Sequence, residues 1–157
     1  MLLDRPAPAF RTEDQDGAPV QLADFRGRPV VLFFYPRAST SGCTIEVQQF
    51  RDAYPRFQRA GVVVLGMSPD TVKAQKKFHD TEGLPYPLLA DPERTVCERY
   101  GLVKEKNMYG RKVLGVARTT LLISPDGKIA RVLDKVKPEG HADQVWQELQ
   151  ALGWVKK

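Results

Sequence analysis

One stretch, residues 30–49, constrains the fold of this 157-residue chain more than any other. Its first residues, Val30 to Tyr35, are all apolar or aromatic, so they do not alternate between a buried and an exposed face. Such a run is typical of a strand that is covered on both faces, in the middle of a mostly parallel sheet. Pro36 ends this strand, because proline has no N–H group to donate to a ladder.

A helix is predicted to begin a few residues later, close to Cys43. Ser39, Thr40 and Ser41 are residue types that accept hydrogen bonds from the free N–H groups at a helix start. Cys43 would then lie at the positive end of the helix dipole, which favours the thiolate, the reactive form of cysteine. Placement alone leaves a second interpretation open, in which Cys43 is a small, inert core residue.

Length and composition predict a single domain over residues 1–157. Hydrophobic residues make up 42% of the chain and charged residues 27%, as in ordinary globular proteins. No apolar run approaches the roughly 20 residues of a membrane span, and the N-terminus lacks the pattern of a secretory signal. Two widely separated cysteines do not form a disulfide framework, so we expect a reducing, cytoplasmic setting.

Charge and spacing exclude some classes of partner. The net charge is +5, but the basic residues are scattered among acidic ones, so a surface that favours anions is expected rather than a nucleic-acid site. No residue cluster has metal-ligand spacing. We expect no cofactor, no nucleic-acid partner and no membrane partner, and we expect a monomer, with a weak dimer as the alternative.

Strand and helix signals alternate along the first half of the chain. Asp16-Gly17 predicts an N-terminal hairpin. The helix after Cys43 is expected to be kinked or interrupted at Pro55 and to end at Gly61. The run Val62 to Met67 predicts a second buried strand, parallel to the first.

Shorter elements are predicted in the second half. A helix opened by Ser68 ends at Gly83, and Leu88 to Ala90 form a short strand. Asp91 caps a short helix that begins at Pro92 and contains Cys97. The next segment, Leu102 to Ala117, has no clear period and is expected to be a mobile loop.

The C-terminal part returns to the sheet. Thr119 to Ser124 predict a third central strand, and Lys128 to Leu133 predict its antiparallel partner. A helix from about Glu139 to Leu152 closes the chain, and His79 and His141 are expected to be ordinary surface or cap residues. The sum is an α/β fold in which a central mixed β-sheet is flanked by helices, with an N-terminal β-hairpin. This order of elements is thioredoxin-like, and the cysteine follows the first central strand at its carboxyl end.

The segment from Pro36 to Cys43, PRASTSGC, resembles the P-x-x-x-T/S-x-x-C motif of peroxiredoxins. The chain is similar to the bacterioferritin comigratory protein (Q-type) subfamily over most of its length. The stretches that carry this similarity are PAPAF, DFRGRPVVLFFYP, GCTIEVQQFRD, GVVVLGMSPD and ARTTLLISPDGKI. The resemblance implies a thioredoxin-dependent peroxidase that reduces hydrogen peroxide and organic hydroperoxides.

The same resemblance implies residue roles. Cys43 would attack the peroxide and become a sulfenic acid, with the Thr40 hydroxyl directed at the thiolate and the peroxide oxygens. Arg118 would keep Cys43 ionised and stabilise charge on the leaving oxygen. Pro36 would shield the thiolate, and Glu46 would orient polar partners. In the alternative interpretations Thr40 is only a helix cap, Arg118 is a surface strand residue, and Glu46 only favours the helix dipole.

The chain departs from the subfamily pattern at its second cysteine. Gln48 occupies the position where many members carry a resolving cysteine, and Ser41 replaces a common proline. The helix after the next strand, Asp70 to Glu82, has no cysteine either. Only Cys97 remains, and it is predicted to be a packing residue. We therefore expect a one-cysteine cycle in which thioredoxin or another thiol reduces Cys43, with a two-cysteine cycle through Cys97 as the alternative.

Two rival functions use the same fold. A thiol-disulfide oxidoreductase needs a second thiol beside the first, usually as C-x-x-C, but Cys43 is followed by Thr44, Ile45 and Glu46. A peroxide-sensing or thiol-holding module would react once and not turn over. The fold alone does not separate these functions.

Overall fold

The computed structural model describes residues 2–155, and in these residues the chain forms nine strands and four α-helices. The strands are β1 (Arg11–Glu13), β2 (Pro19–Gln21), β3 (Val30–Phe34), β4 (Val63–Ser68), β5 (Leu88–Ala90), β6 (Val103–Met108), β7 (Arg111–Val116), β8 (Thr119–Ile123) and β9 (Ile129–Leu133). The helices are α1 (Ser41–Arg59), α2 (Val72–Glu82), α3 (Thr95–Arg99) and α4 (His141–Ala151), and a short 3-10 helix covers Leu22–Phe25. Within the described part of the chain, no helix is both long and apolar enough to cross a membrane.

A seven-stranded mixed sheet forms the centre, in the order β2-β1-β5-β4-β3-β8-β9. β3 pairs in parallel with β4 and antiparallel with β8, and β4 pairs in parallel with β5. β1 and β2 form the predicted N-terminal hairpin, which joins the sheet through β5. The predicted mixed sheet, its three central strands and the hairpin are therefore confirmed.

β3 divides the hydrophobic core into two layers. All five of its residues are buried, and because strand side chains alternate, each layer receives every second one. Val31 and Phe33 pack in one layer with α1 and α4, together with Cys43. The other layer contains α3 and Cys97. The two cysteines therefore lie in cores on opposite faces of the central sheet.

The packing of α1 on the sheet depends on a glycine. Phe33 on β3 lies opposite Gly66 on β4, and a Cβ atom on Gly66 would lie 2.9 Å from the Phe33 ring and 2.9 Å from Leu88. The space left by this glycine lets Phe33 stack on Phe50 of α1, with ring centroids 4.6 Å apart and planes at 14°. This aromatic contact fixes the helix that carries Cys43.

The segment predicted to be a mobile loop, Leu102 to Ala117, forms the β6–β7 hairpin instead, so that prediction was wrong. β6 and β7 pair antiparallel from Val103↔Val116 to Met108↔Arg111. The two turn residues, Tyr109 and Gly110, have φ angles of 54° and 78°. Positive φ at both central residues defines the tight hairpin turn that matches strand twist. The sequence signal was weak because asparagine or aspartate, not tyrosine, usually stands at the first of these positions.

Helix boundaries differ from the predictions at three places. Pro55 does not interrupt α1, which continues to Arg59. Pro55 is exposed, so the helix hydrogen bond that it cannot donate is lost on the solvent side rather than in the core. α2 begins at Val72 rather than beside Ser68, because the Thr71 hydroxyl caps it through the Ala74 N–H. α3 begins at Thr95 rather than at Pro92.

Asp91 does have the predicted capping role. Its carboxylate accepts hydrogen bonds from the N–H groups of Val96 and Cys97, at 3.1 and 2.8 Å. These two donors lie in the first turn of α3, where backbone N–H groups have no helical acceptor. Asp91 therefore fixes the short helix that carries the second cysteine.

Candidate active site

Cys43 lies in the first turn of α1, directly after the loop that leaves β3. Thr40 is the N-cap residue, with extended backbone angles of φ −83° and ψ 158°. Its carbonyl accepts from both the N–H and the hydroxyl of Thr44, at 2.9 and 2.7 Å. Cys43 is completely buried and therefore shielded from bulk water, and it belongs to the helix turn whose backbone N–H groups have no helical acceptor and where the helix dipole is positive.

The guanidinium of Arg118 bridges Cys43 and Glu46. Arg118 precedes β8, and its Nη2 atom donates to the sulfur of Cys43 at 3.4 Å. Its Nη1 atom donates to Oε1 of Glu46 at 2.7 Å, and the Arg118 side chain is only 18% exposed. Arg118, which is distant in sequence, therefore meets two predicted site residues of α1, and it is not the surface residue of the alternative interpretation.

Charge and burial act in opposite directions on this pair. Burial raises the pKa of Glu46 to about 7, although the Arg118 charge and hydrogen bond pull it down. Burial also acts to lower the pKa of Arg118, but the charges of Cys43 and Glu46 outweigh it and raise that pKa above its ordinary value. Arg118 therefore remains a cation, placed where a thiolate or a developing oxyanion would gain from it.

Gly42 lets the guanidinium lie over the helix start. A Cβ atom at this position would come within 3.1 Å of Arg118 Nη2 and 3.5 Å of Pro138 Cγ. The first of these distances is shorter than an ordinary van der Waals contact, so any larger residue would push against Arg118. The glycine of the PRASTSGC segment therefore lets Arg118 contact Cys43 without being displaced.

Thr40 and Pro36 lie in the loop between β3 and Cys43. The Thr40 hydroxyl donates to the carbonyl of Arg37 at 2.8 Å, and its side chain makes no capping hydrogen bond. Thr40 is therefore not a side-chain cap, and its hydroxyl hydrogen would have to leave Arg37 to reach a thiolate. Pro36 is half-buried at the end of β3. Their roles stay predictions.

A polar network that the sequence did not predict holds the loop before Cys43. Asp70 accepts from the N–H of Ala38 at 2.8 Å and from the Ser68 hydroxyl. Gln75 donates to Ser68 at 2.9 Å and accepts from the Tyr35 hydroxyl at 2.6 Å. Ser68 ends β4, the strand that neighbours β3, and Asp70 follows it; polar residues at that sheet edge were the available signal.

Comparison with known proteins places the chain in a family. The model of the AhpC/TSA family matches residues 3–132. Peroxiredoxin Bcp of Escherichia coli strain K12 is 40% identical over 151 residues, which cover 96% of this chain and 93% of that protein. Peroxiredoxin Bcp of Xanthomonas campestris is 42% identical over 135 residues, which cover 86% and 84%. The chain is a peroxiredoxin of the AhpC/TSA family.

Solved structures place this peroxiredoxin among the bacterioferritin comigratory, or Q-type, proteins. The Xanthomonas campestris bacterioferritin comigratory protein has a TM-score of 0.89 and 38% identity, over 96% of this chain and 98% of that one. BcpB of Mycobacterium tuberculosis has a TM-score of 0.86 and 35% identity, over 97% and 98%. The resemblance and the thioredoxin-like fold are confirmed. As a peroxiredoxin, the chain is a peroxidase that acts on a peroxide with a thiol reductant.

The second cysteine of the peroxiredoxin is remote from its active site. Cys97 is free and buried, and burial raises its pKa far above the ordinary value. It packs in the layer opposite that of Cys43. At the position of the usual resolving cysteine, Gln48 donates to Oε1 of Glu82 on α2 at 2.7 Å, and therefore links two helices.

His141 was expected at the surface or in a cap, and this prediction was wrong. It is 1% exposed, and its Nε2 atom lies 2.6 Å from the Thr120 hydroxyl oxygen. The available signal was its spacing of four from Val145, which with Leu149 forms the buried face of α4. His79, in contrast, is half-buried on α2 and lies 3.8 Å from Asp80. Among the described residues, no group of histidine, cysteine and acidic side chains could hold a metal ion.

Proposed function

We propose that the Cys43 thiolate reduces hydrogen peroxide and organic hydroperoxides through a sulfenic acid. One observation carries this proposal: the Arg118 guanidinium lies 3.4 Å from the Cys43 sulfur at the start of α1. A cation and a helix N-terminus both favour the thiolate, which is the nucleophilic form of cysteine.

In the first step, the sulfur forms a bond to the terminal oxygen of ROOH and the O–O bond breaks. The products are Cys43–SOH and RO⁻, and RO⁻ takes a proton to become water or an alcohol. Negative charge moves from sulfur to the leaving oxygen. The fixed Arg118 cation therefore stabilises both the starting thiolate and the transition state. Thr40 hydrogen-bonds the peroxide after leaving Arg37, Pro36 shields the sulfur, and Glu46 orients Arg118.

Sheet topology supports a one-cysteine cycle. A disulfide requires Cα atoms within about 7 Å, whereas Cys43 and Cys97 pack in separate cores with the central sheet between them. An external thiol R′SH instead attacks the sulfenic acid, forming Cys43–S–S–R′ and water. A second R′SH then releases the Cys43 thiol and R′SSR′. Thioredoxin is the proposed reductant, with small thiols as the alternative.

Burial limits how the reductant reaches Cys43. The residue is completely buried in the described structure, so a small peroxide reaches the sulfur more easily than a protein thiol does. We infer that the first turn of α1 opens after oxidation and exposes the sulfenic acid. Ser41 replaces a common proline at this turn, and its unrestricted φ angle makes opening easier.

Intact mass after one equivalent of hydrogen peroxide, without reductant, tests the cycle. The one-cysteine cycle predicts a gain of one oxygen atom in both wild type and Cys97→Ser. Loss of two hydrogens, with Cys43 linked to Cys97, contradicts it. Cys43→Ser should abolish peroxide consumption, and full consumption by this variant would remove the basis of the proposal.

Turnover separates the enzyme from the rival functions. With thioredoxin and its reductase, a peroxidase consumes peroxide steadily, whereas a sensor gives one stoichiometric burst. Reduction of insulin disulfides without peroxidase activity would instead support a thiol-disulfide oxidoreductase. We propose that the enzyme acts as a monomer in a reducing, cytoplasmic setting, and sedimentation at several protein concentrations tests the monomer against a weak dimer.

A further inference from the structure

Behind Glu46 lies a buried polar contact that the proposed chemistry does not use. The Nε2 atom of His141 lies 4.0 Å from Oε2 of Glu46. Both side chains are completely buried. Within residues 2–155, Glu46 Oε2 has no hydrogen-bond partner, which is costly for a buried carboxylate oxygen. The imidazole therefore faces the unpaired side of the carboxylate whose other oxygen holds Arg118.

Three contacts fix the His141 ring. Its Nδ1 atom lies 3.1 Å from Oε1 of Gln144, one turn further along α4. Its Nε2 atom lies 2.6 Å from the Thr120 hydroxyl on β8. Phe50 of α1 packs edge-on against the ring, with centroids 5.7 Å apart and planes at 87°. The ring therefore joins α1, α4 and β8 directly behind Glu46.

We propose that His141 is a positioning residue of the peroxidase, an inference that rests on the function proposed above. At 4.0 Å the imidazole makes no direct hydrogen bond to Glu46 Oε2, but its edge packs against this side of the carboxylate while Glu46 Oε1 accepts from Arg118. The carboxylate is therefore held between the guanidinium and the ring. The guanidinium that it holds keeps its other nitrogen against the Cys43 sulfur.

Burial acts on the ionisation of both residues in this contact. Burial raises the pKa of Glu46 to about 7 and lowers the pKa of His141 below its ordinary 6.5. Arg118 acts on both Glu46 and His141, Tyr86 interacts with Glu46, and Cys43 acts on Arg118. Burial raises the pKa of Tyr86 well above its ordinary value, so that phenol stays neutral, and Arg118 stays charged. Among these neighbours of the Arg118 guanidinium, Glu46 is therefore an acid whose charge changes near pH 7.

Substitutions that separate shape from polarity test this role. His141→Phe keeps a ring of similar size but removes both nitrogens, and His141→Gln keeps a group that can hydrogen-bond Thr120 and Glu46. Both are made in a Cys97→Ser background, so that Cys43 is the only thiol. Iodoacetamide alkylation and oxidation by hydrogen peroxide are then measured from pH 5 to pH 9.

His141→Phe should raise the pH of half-maximal alkylation by about one unit, because a displaced Arg118 favours the thiolate less. Oxidation should then slow about tenfold at pH 6 and by less than about threefold at pH 9, since one pH unit is a factor of ten in thiolate. His141→Gln should recover most of the loss. Thr120→Val removes the hydroxyl that holds the His141 ring, so it should shift the alkylation midpoint in the same direction. This variant tests the proposal if His141→Phe does not fold.

A uniform loss of rate at every pH with an unchanged alkylation midpoint would mean a merely structural role and would overturn the proposal. Equal damage from Phe and Gln, or wild-type behaviour of His141→Phe and Thr120→Val, would also overturn it. His79→Gln is the matched control, because that histidine lies on α2 away from the site, and it should leave both profiles unchanged. Alkylation needs no peroxide turnover, so failure of the proposed function would show separately, as peroxide consumption that survives in Cys43→Ser.

Discussion

Replacing Arg118 by methionine removes the only charge that contacts the Cys43 sulfur among the described residues. At 3.4 Å, two unit charges at an effective dielectric constant of about 20 attract each other by about 5 kcal/mol. Glu46 shares the same guanidinium at 2.7 Å, so the part available to the thiolate is smaller, about 3–4 kcal/mol. At 1.36 kcal/mol per factor of ten, this corresponds to a rate constant about 10²- to 10³-fold lower, as for loss of one oxyanion-hole donor.

The fold should survive this change, because Glu46 can take up a proton once its partner is gone. Oxidation by hydrogen peroxide is followed by stopped-flow competition with a haem peroxidase at pH 7. Arg118→Lys should lie between the Met variant and wild type, since one ammonium group cannot reach two partners in the way that a planar guanidinium does. Arg131→Met is the control: Arg131 is 40% exposed and pairs with Glu148 at 3.7 Å, so its loss should change the rate less than about twofold. An Arg118→Met rate within threefold of wild type would refute the reasoning.

Further expectations concern the same surroundings. Gly42→Ala should slow oxidation about tenfold without a large change in Tm. The added Cβ would lie 3.1 Å from Arg118 Nη2, and small misplacements of a catalytic group are costly. An unchanged rate would show that Arg118 moves freely. Glu46→Gln should remove a pH dependence of stability. Burial raises the folded-state pKa of Glu46 from 4.5 to about 7. Its contribution to the unfolding free energy, about 3 kcal/mol, is therefore present below pH 4.5 and is lost as the pH rises to about 7. Urea unfolding at several pH values measures this loss, and the same pH dependence of stability in both proteins would contradict it. Tyr35→Phe leaves the Gln75 acceptor buried without its 2.6 Å partner and should lower the unfolding free energy by about 1–3 kcal/mol, measured by the same urea titration against wild type.

Features with a strong local signal could be predicted from the sequence. The unbroken apolar run of β3 identified the centre of the sheet, and polar residues before Cys43 identified the start of α1. These signals are local because strand burial and helix capping are marked by residues that lie close together in the sequence. The pairing of β3 with β4 followed from their order in the chain.

Features that depend on distant packing could not be predicted in this way. The β6–β7 hairpin carries many charges and a tyrosine in its turn, so neither alternation nor turn chemistry marked it. His141 looked like a polar residue at a helix start, and only the docking of α4 on α1 makes it a core residue. The anchoring of the loop at Ala38 by Asp70 requires β3 and β4 to be neighbours, which no short stretch of sequence shows.

The register of β8 on β3 explains how Arg118 reaches Cys43. Phe34 is opposite Thr119 in this antiparallel pair, so Arg118 lies just beyond the end of β3, where the chain turns towards Cys43. Side chains alternate along a strand, so Arg118 shares a face with Thr120, which contacts His141 of α4. A slip of one residue would turn both side chains to the opposite face, where Cys97 packs. The catalytic contact and the proposed positioning contact therefore depend on a single strand register, and that register is specified by the buried residues of β3 and β8 rather than by the motif around Cys43.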